Sequence, residues 1–395
     1  MSIFSIFLSA LTLVPTNESD TIQTERLDEV VVVSNSARQR VQSVQTGAEQ
    51  LKIKELTATP QLLWEDIIKD IQLMAGVKAE SDASSGFQVR GGTSAQNQIL
   101  LDGTPVYNAG HLGGLFSAFN VDALATATLY KGLQPAQYGS AASAVLDLVG
   151  KTGNKSEYHG KATVGFTAFG GEFEGPIVKD KVGFLIAARR SYMDWLLKLS
   201  KDFSGNTLYF YDLNAKIDWT INSKNQLFLT FFSGKDETGL DKMVDLKWNN
   251  LSASLKWLHY FNDNSYSQSN IYYSGYGTDD GTDLLGMNLW FAGHIRQTGF
   301  KQDLHLGLGN YKIDAGLQTA LMNVKSAEWK KVTLEEKEQR KAWDNAIWAN
   351  LIFPLAKNVH VSAGLRLTAF MPLGGSLYYD IDKDGNIEWH HNYPN

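Results

Sequence analysis

The sequence predicts a mixed fold: a small α+β domain followed by an incomplete antiparallel transmembrane β-barrel. Three observations carry that expectation. From about residue 158 onward, apolar and polar residues alternate with a period of two, as in strands with one wet and one apolar face. The connections between these runs alternate between short turns and long polar stretches, the asymmetry of a barrel with short turns on one side of a membrane and long loops on the other. The composition agrees: 35 Gly and 11 % aromatic residues against only 8 Pro suit a many-stranded β protein.

At the N-terminus, Ile3 to Val14 is an apolar run of about a dozen residues. It is too short to span a bilayer as a helix and has the length of a secretory signal core. No Lys or Arg precedes it and no clear small-x-small cleavage site follows it. Residues 1–16 are read as a signal segment. Polar residues lead to Leu27-Asp28-Glu29-Val30-Val31-Val32-Val33, where four valines follow two acids. Such a run has high strand propensity, yet its Ser-, Gln- and Arg-rich surroundings cannot build a core. It reads as an unpaired strand on a flexible tether, open to a partner's sheet.

Residues 48–153 read as the small domain. Pro60 to Met74 carries helical spacing at Leu62, Leu63, Ile67, Ile68, Ile71 and Leu73. Phe87-Gln88-Val89-Arg90-Gly91-Gly92 reads as a strand entering a Gly-Gly turn. Gln98 to Val106 reads as two strands around an Asp102-Gly103 turn, which is assigned no further role. Val121 to Tyr130 reads as a short helix and a strand.

Residues 154–395 read as barrel. Tyr209, Tyr211, Leu213, Ala215, Ile217 and Trp219 alternate with Asp212, Asn214, Lys216 and Asp218. Similar runs occupy 247–259, 266–276, 290–306, 311–322, 342–353 and 359–371. Short turns fall near 178–181, 221–225, 261–265, 307–310 and 354–358. Long connections fall near 193–207, 235–246, 277–289 and 323–341. Keeping this parity places a tight outer turn at Gly170-Gly171. The count is about eleven strands before Leu373 and a twelfth beginning near Ser376, about half of the 22 in a plugged barrel. The chain is therefore read as a fragment.

Several function classes lose ground on composition. There are 36 basic and 42 acidic residues, a net charge of −6, and no basic stripe, so no nucleic-acid partner is expected. The absence of Cys excludes thiolate metal sites, thiol catalysis and a disulfide scaffold. No enzyme signature is present, no cofactor motif, and no metal-ligand spacing among the 8 His. Asp380 to Glu388 imitates a calcium loop, but its twelfth position is His391, so a turn at Asp384-Gly385 is preferred.

From residue 27 to the end the chain resembles a TonB-dependent outer-membrane receptor of the kind common in Bacteroidetes-type bacteria. Leu27–Val33 resembles the TonB box. Gly86 to Gly92, Gln96 to Asn108, Leu129-Tyr130-Lys131-Gly132 and Tyr138-Gly139-Ser140 resemble the plug, and Glu174 to Lys181 resembles the early barrel. Leu146 to Lys151 departs from the pattern, with Val149-Gly150 where relatives often carry a charge. Only 26 residues precede the box, which leaves no room for a signalling domain or a small β domain before the plug.

The resemblance implies energised import of a scarce or large substrate (a glycan, a peptide or a metal chelate) with the TonB C-terminal domain as partner. Outer-membrane lipid and a surface lipoprotein are further expected partners. The TonB-binding residues are then Leu27, Asp28, Glu29, Val30, Val31, Val32 and Val33. Arg90 with Gly91 and Gly92 is expected to pair with Glu172 or Glu174 on the barrel wall as a latch, since Arg binds carboxylates in a fixed fork. Tyr107, Asn108, His111, Phe116 and Phe119 are expected at the outward apex as substrate contacts, with packing against the wall as the alternative. A non-transporting product or passive outer-membrane receptor is the second functional reading, and a soluble β-rich enzyme a distant third.

Overall fold

The computed structural model describes residues 48–53, 64–81, 84–139, 141–240, 244–284, 287–329, 339–356, 359–373, 377–381 and 387–392. The signal segment, Leu27–Val33 and the tether lie outside the described residues.

The small domain contains β1 (Ala48–Lys52), α1 (Ile67–Gln72), β2 (Val77–Ala79), β3 (Phe87–Val89), β4 (Gln98–Leu101) and β5 (Thr104–Pro105). It continues with β6 (Gly110–His111), β7 (Phe116–Ser117), β8 (Leu124–Tyr130) and β9 (Val145–Gly150). Five of these strands form a sheet in the order β1-β8-β9-β4-β5, in which only β4 and β9 run parallel. The helix is shorter than its apolar spacing suggests; residues 54–63 lie outside the described part. Asp66 caps it, accepting the N–H of Ile68 at 2.8 Å and of Lys69 at 3.3 Å, so two otherwise orphaned donors are satisfied. The same carboxylate accepts Ser117 N–H at 2.6 Å, which ties α1 to β7. Ile67, Ile68 and Ile71 are buried, each contributing about 1.5–3 kcal/mol by leaving water. They pack with Phe87, Phe119, Leu129, Leu146 and Leu148 into the domain's core.

The β4–β5 turn has Asp102 at φ +50° and Gly103 at φ +84°. Two consecutive positive φ values define the tight hairpin turn that Asp-Gly favours.

The remaining strands are β10 (His159–Val164), β11 (Ala168–Val178), β12 (Val182–Ser191), β13 (Thr207–Asn222), β14 (Asn225–Leu240) and β15 (Val244–Asn262). Then follow β16 (Ser265–Leu284), β17 (Met287–Leu308), β18 (Tyr311–Trp329), β19 (Gln339–Ala356) and β20 (Val359–Leu373). They make one antiparallel sheet of eleven strands, each paired with its sequence neighbours. β10 and β20 have one neighbour each, so the sheet is open. A last hairpin, β21 (Leu377–Ile381) with β22 (Ile387–Asn392), pairs only with itself, so among the described residues no twelfth strand joins the sheet. Residues 382–386, including Asp384-Gly385, lie outside the described part.

The alternation sorts side chains between two media. On β13, Asp212, Asn214, Lys216 and Asp218 are buried against the small domain. Tyr211, Ile217 and Trp219 point outward and are exposed, as are Leu255, Trp257, Ile271, Leu317, Leu321, Ile347 and Leu351 on later strands. Polar inside and apolar outside is the arrangement of a transmembrane barrel wall.

Two expectations need correction. The first outer turn is at 165–167, not at Gly170-Gly171, which lie within β11 opposite Arg189 and Ala188. Gly170 is needed for close approach: a Cβ there would lie 2.8 Å from the Ala188 carbonyl oxygen. The expected long loops at 235–246 and 277–289 are also mostly strand. β14 to β17 run for 16 to 22 residues, against about 9–11 needed to cross a bilayer. Polar residues there continue the ladder as hairpins beyond the apolar belt, because backbone pairing does not require an apolar face.

Candidate functional site

The turns separate the two ends of the sheet. Short turns at 179–181, 223–224, 263–264 and 309–310 mark one end. The other end carries the extended hairpins and a connection containing α2 (Met193–Leu197). A cavity of about 730 Å³ opens toward this second end, between the small domain and the wall. From the small domain, Tyr107 and Asn108 line it. From the wall come Trp248 on β15, Tyr276 and Asp280 on β16, Gln297 on β17 and Asp344 on β19.

Hydrogen bonds hold this lining. The Tyr107 hydroxyl donates to Gln297 Oε1, and Gln297 Nε2 donates to the Tyr272 hydroxyl at 3.0 Å. Trp248 Nε1 donates to the Gly110 carbonyl at 3.3 Å, and Asn250 Nδ2 to the Asn108 carbonyl at 2.7 Å. Burial, with Tyr272 beside it, pushes the Tyr107 phenol far above its ordinary value. Tyr107 is thus a neutral donor throughout the physiological range.

The other three expected apex residues do not reach the cavity. His111 is 1 % exposed and stacks on Phe210 at 4.4 Å between ring centroids. Phe116 packs on the same ring at 5.3 Å, and Phe119 on Phe232 at 6.1 Å. They are wall contacts, the alternative weighed for this loop. The geometry makes His111 the centre of a charged cluster instead. Its Nδ1 lies 2.6 Å from Asp236 Oδ2, and its Nε2 lies 3.6 Å from Asp212 Oδ2. Asp236 also accepts Leu112 N–H at 2.7 Å. Arg189 donates to Asp212 at 2.7 Å and to the Ser117 carbonyl at 2.7 Å. Burial alone would lower the pKa of His111, but the carboxylates of Asp212 and Asp236 outweigh it and hold the imidazole above its ordinary value.

Nearer the short turns, a second set of ion pairs seats the small domain. Lys151 bridges Glu172 and Glu174, with Glu174 at 3.0 Å. Lys216 Nζ donates to both oxygens of Asp102, at 3.1 and 3.0 Å, and to the Gly150 carbonyl at 2.9 Å. Lys155 pairs with Asp218. The latch expectation is therefore corrected in its cation. Glu172 and Glu174 do bind a cation, but it is Lys151. Arg90 is exposed at φ +48°, ends the β2–β3 hairpin, and donates its backbone N–H to Gly76 at 3.1 Å, with Gly91 beside it at φ +87°. Lys151 wins by position: it directly follows β9, where the chain passes from the small domain to the sheet.

Residues 36–145 match the family model described as TonB-dependent Receptor Plug Domain. Those residues are similar to the plug of TonB-dependent receptors. No curated protein sequence matches the chain. Among solved structures, a ferric enterobactin receptor (PfeA) mutant from Pseudomonas aeruginosa superposes with a TM-score of 0.66 at 14 % identity, covering 85 % of this chain and 58 % of that one. The siderophore receptor PirA from Acinetobacter baumannii gives 0.63 at 13 % identity, covering 84 % and 59 %. The copper transporter OprC gives 0.63 at 12 % identity, covering 89 % and 58 %. At these identities the likeness is one of fold: plug first, then barrel strands. The chain spans somewhat over half the length of those structures.

Sequence reading missed the plug anchors Asp102 and Lys151, Lys155 just after the plug, and the wall partners Arg189, Asp212, Lys216, Asp218 and Asp236. A signal for the wall residues was present, since charges on the polar face of barrel strands point inward. Their partners had none, because the pairings join positions as different in separation as Lys151–Glu172, 21 residues apart, and Asp102–Lys216, 114 apart, and no spacing rule connects them.

Proposed function

We propose that this chain serves energised import across the outer membrane. A ligand binds in the outward cavity above the plug. The box strand Leu27–Val33 then adds to a sheet of the TonB C-terminal domain, and force on the tether moves the plug. In this reading residues 1–16 are the export signal, 17–47 the box and tether, 48–153 the plug and 154–395 barrel. The exposed apolar belt meets outer-membrane lipid, and the extended outer hairpins offer a rim for a surface lipoprotein.

The observation that supports it best is the seating of the plug. It is held to the wall by ion pairs, with Lys151 on Glu172 and Glu174 and Lys216 on Asp102, directly below an outward-facing cavity. The TonB-binding role of Leu27–Val33 follows from strand addition, which needs free backbone donors. Deleting these seven residues is expected to abolish retention of the chain on immobilised TonB C-terminal domain and to abolish uptake, while ligand binding at the cell surface persists. Uptake that survives the deletion refutes the proposal.

A further inference from the structure

The cavity carries a chemical bias of its own. Among the described residues its lining holds three carboxylates, Glu80, Asp280 and Asp344, and no Lys, Arg or His. Glu80 accepts the Ser94 hydroxyl at 3.0 Å. The other two are incompletely satisfied. Asp280 accepts the Thr278 hydroxyl at 2.6 Å on one oxygen, while its buried Oδ1 has no partner among the described residues. Asp344 is only 7 % exposed, and among the described residues no hydrogen bond or salt bridge reaches its carboxylate. Arg366 acts on it only through space. That guanidinium lies over the Trp348 ring at 5.2 Å and donates to the Ala136 carbonyl at 3.2 Å. A buried carboxylate oxygen without a donor, as Asp280 Oδ1 is, is costly, and the cost falls when a ligand brings the donor and the charge; the Asp344 oxygens remain open to the cavity. The rings of Tyr107, Trp248 and Tyr276 share the lining, and aromatic faces attract cations.

We propose that this cavity takes a cationic, donor-rich ligand of short-peptide size, whose positive groups complete Asp280 and Asp344 against the aromatic wall. This rests on the cavity being the ligand site of the import reading and narrows its substrate class. The field of the same carboxylates opposes anionic metal chelates, and the cavity volume lies within the range of small-ligand pockets.

The test uses the protein purified from native outer membranes in detergent and three hexapeptides of one Ser-Tyr-Gly background. The peptides differ only in two positions, filled by Lys, Ser or Glu. Calorimetry is expected to give the Lys peptide an advantage of about ten-fold or more over the Ser peptide, and no binding of the Glu peptide. Raising salt from about 50 to about 500 mM is expected to erode that advantage without any variant. Asp280→Asn with Asp344→Asn is expected to cut it below about three-fold. Equal binding of the three peptides, binding of none, preference for the Glu peptide, or tighter binding of a neutral oligosaccharide or a ferric catecholate overturns the proposal. The two readings fail separately. A ferric catecholate imported only with the box intact overturns the cationic ligand and leaves import standing. Lys-peptide binding with box-independent uptake does the reverse.

Discussion

The Asp102–Lys216 pair permits a quantitative test of how the plug is held. Asp102 receives Lys216 Nζ twice, the Gly150 N–H at 3.3 Å and the Thr230 hydroxyl at 3.2 Å. Asp102→Asn preserves size, and Asn tolerates the positive φ of the turn. It leaves the ammonium of Lys216 buried against a neutral amide, with one carbonyl as its remaining partner. Breaking a buried pair from one side costs about 3–5 kcal/mol, and the retained amide oxygen argues for the lower end, about 3 kcal/mol. Lys216→Met strands the carboxylate and is expected to cost about the same. The double variant strands neither charge, so its cost stays near about 3 kcal/mol instead of about 6, a coupling of about 3 kcal/mol. Urea-dependent hydrogen exchange of the peptides covering 98–106 and 145–151 reads this directly, with the barrel folded in detergent. Additive losses, or single losses below about 1 kcal/mol, would refute the anchoring role. The pH sign is fixed too. Burial raises the carboxyl of Asp102, but Lys216, Lys256 and the Gly150 N–H outweigh it, and the net pKa lies below the ordinary 3.8. A lowered acid stabilises above its unfolded value, so the contribution is complete above about pH 4 and disappears as pH falls through the lowered value.

His111 has the opposite sign: its raised pKa means that its contribution is full below the ordinary 6.5 and is lost as pH climbs through the raised value. The protection factor of the 107–120 segment, which removes the intrinsic pH dependence of exchange, should therefore fall as pH rises above about 6.5 in the parent and lose that dependence in His111→Gln. Lys151→Met leaves Glu172 and Glu174 facing each other. The expected loss in plug protection is about 1–2 kcal/mol, below the fully buried range because Lys151 is 37 % exposed, and Glu172→Gln should restore part of it. Phe232 of β14 reaches into the plug core beside Phe119, so Phe232→Ala should cost about 3–5 kcal/mol by urea titration, and a loss under about 1 kcal/mol would contradict that packing.

Local patterns were legible wherever the physics is local. The β4–β5 turn follows from Asp102-Gly103, and the strands of the wall follow from period-two alternation. The alternation even carried the parity of the turns. It failed at Gly170-Gly171, because a Gly pair signals a turn and a close backbone approach equally well, and only the Ala188 carbonyl across the ladder decides between them. It also failed at 235–246 and 277–289, where polar strands beyond the apolar belt lose the apolar face that marks a strand in sequence. At the site, Tyr107 and Asn108 line the cavity as an aromatic and amide pair would, but His111, Phe116 and Phe119 are claimed by Phe210, Phe232 and two aspartates of the wall. Those contacts join residues far apart in the chain, so no spacing rule could select between solvent and wall.

The chemistry of the plug–wall contact bears on how such a domain can be both fixed and movable. Apolar contact holds in proportion to area, about 25 cal/mol per Å², and separating it costs that full amount. Ion pairs behave differently. Their attraction is largely offset by the water each charge gave up, so a pair that is separated and rehydrated together costs little net free energy, whereas a wrongly paired charge costs several kcal/mol. The pairs Lys151–Glu174 and Lys216–Asp102 thus specify one seating of the plug without welding it there. The apolar attachment is concentrated on β13 and β14, where Phe210 and Phe232 meet His111, Phe116 and Phe119. The wall thus meets the plug with ionic contacts near the short turns and, toward the other end, with this aromatic patch around the His111–Asp236 pair.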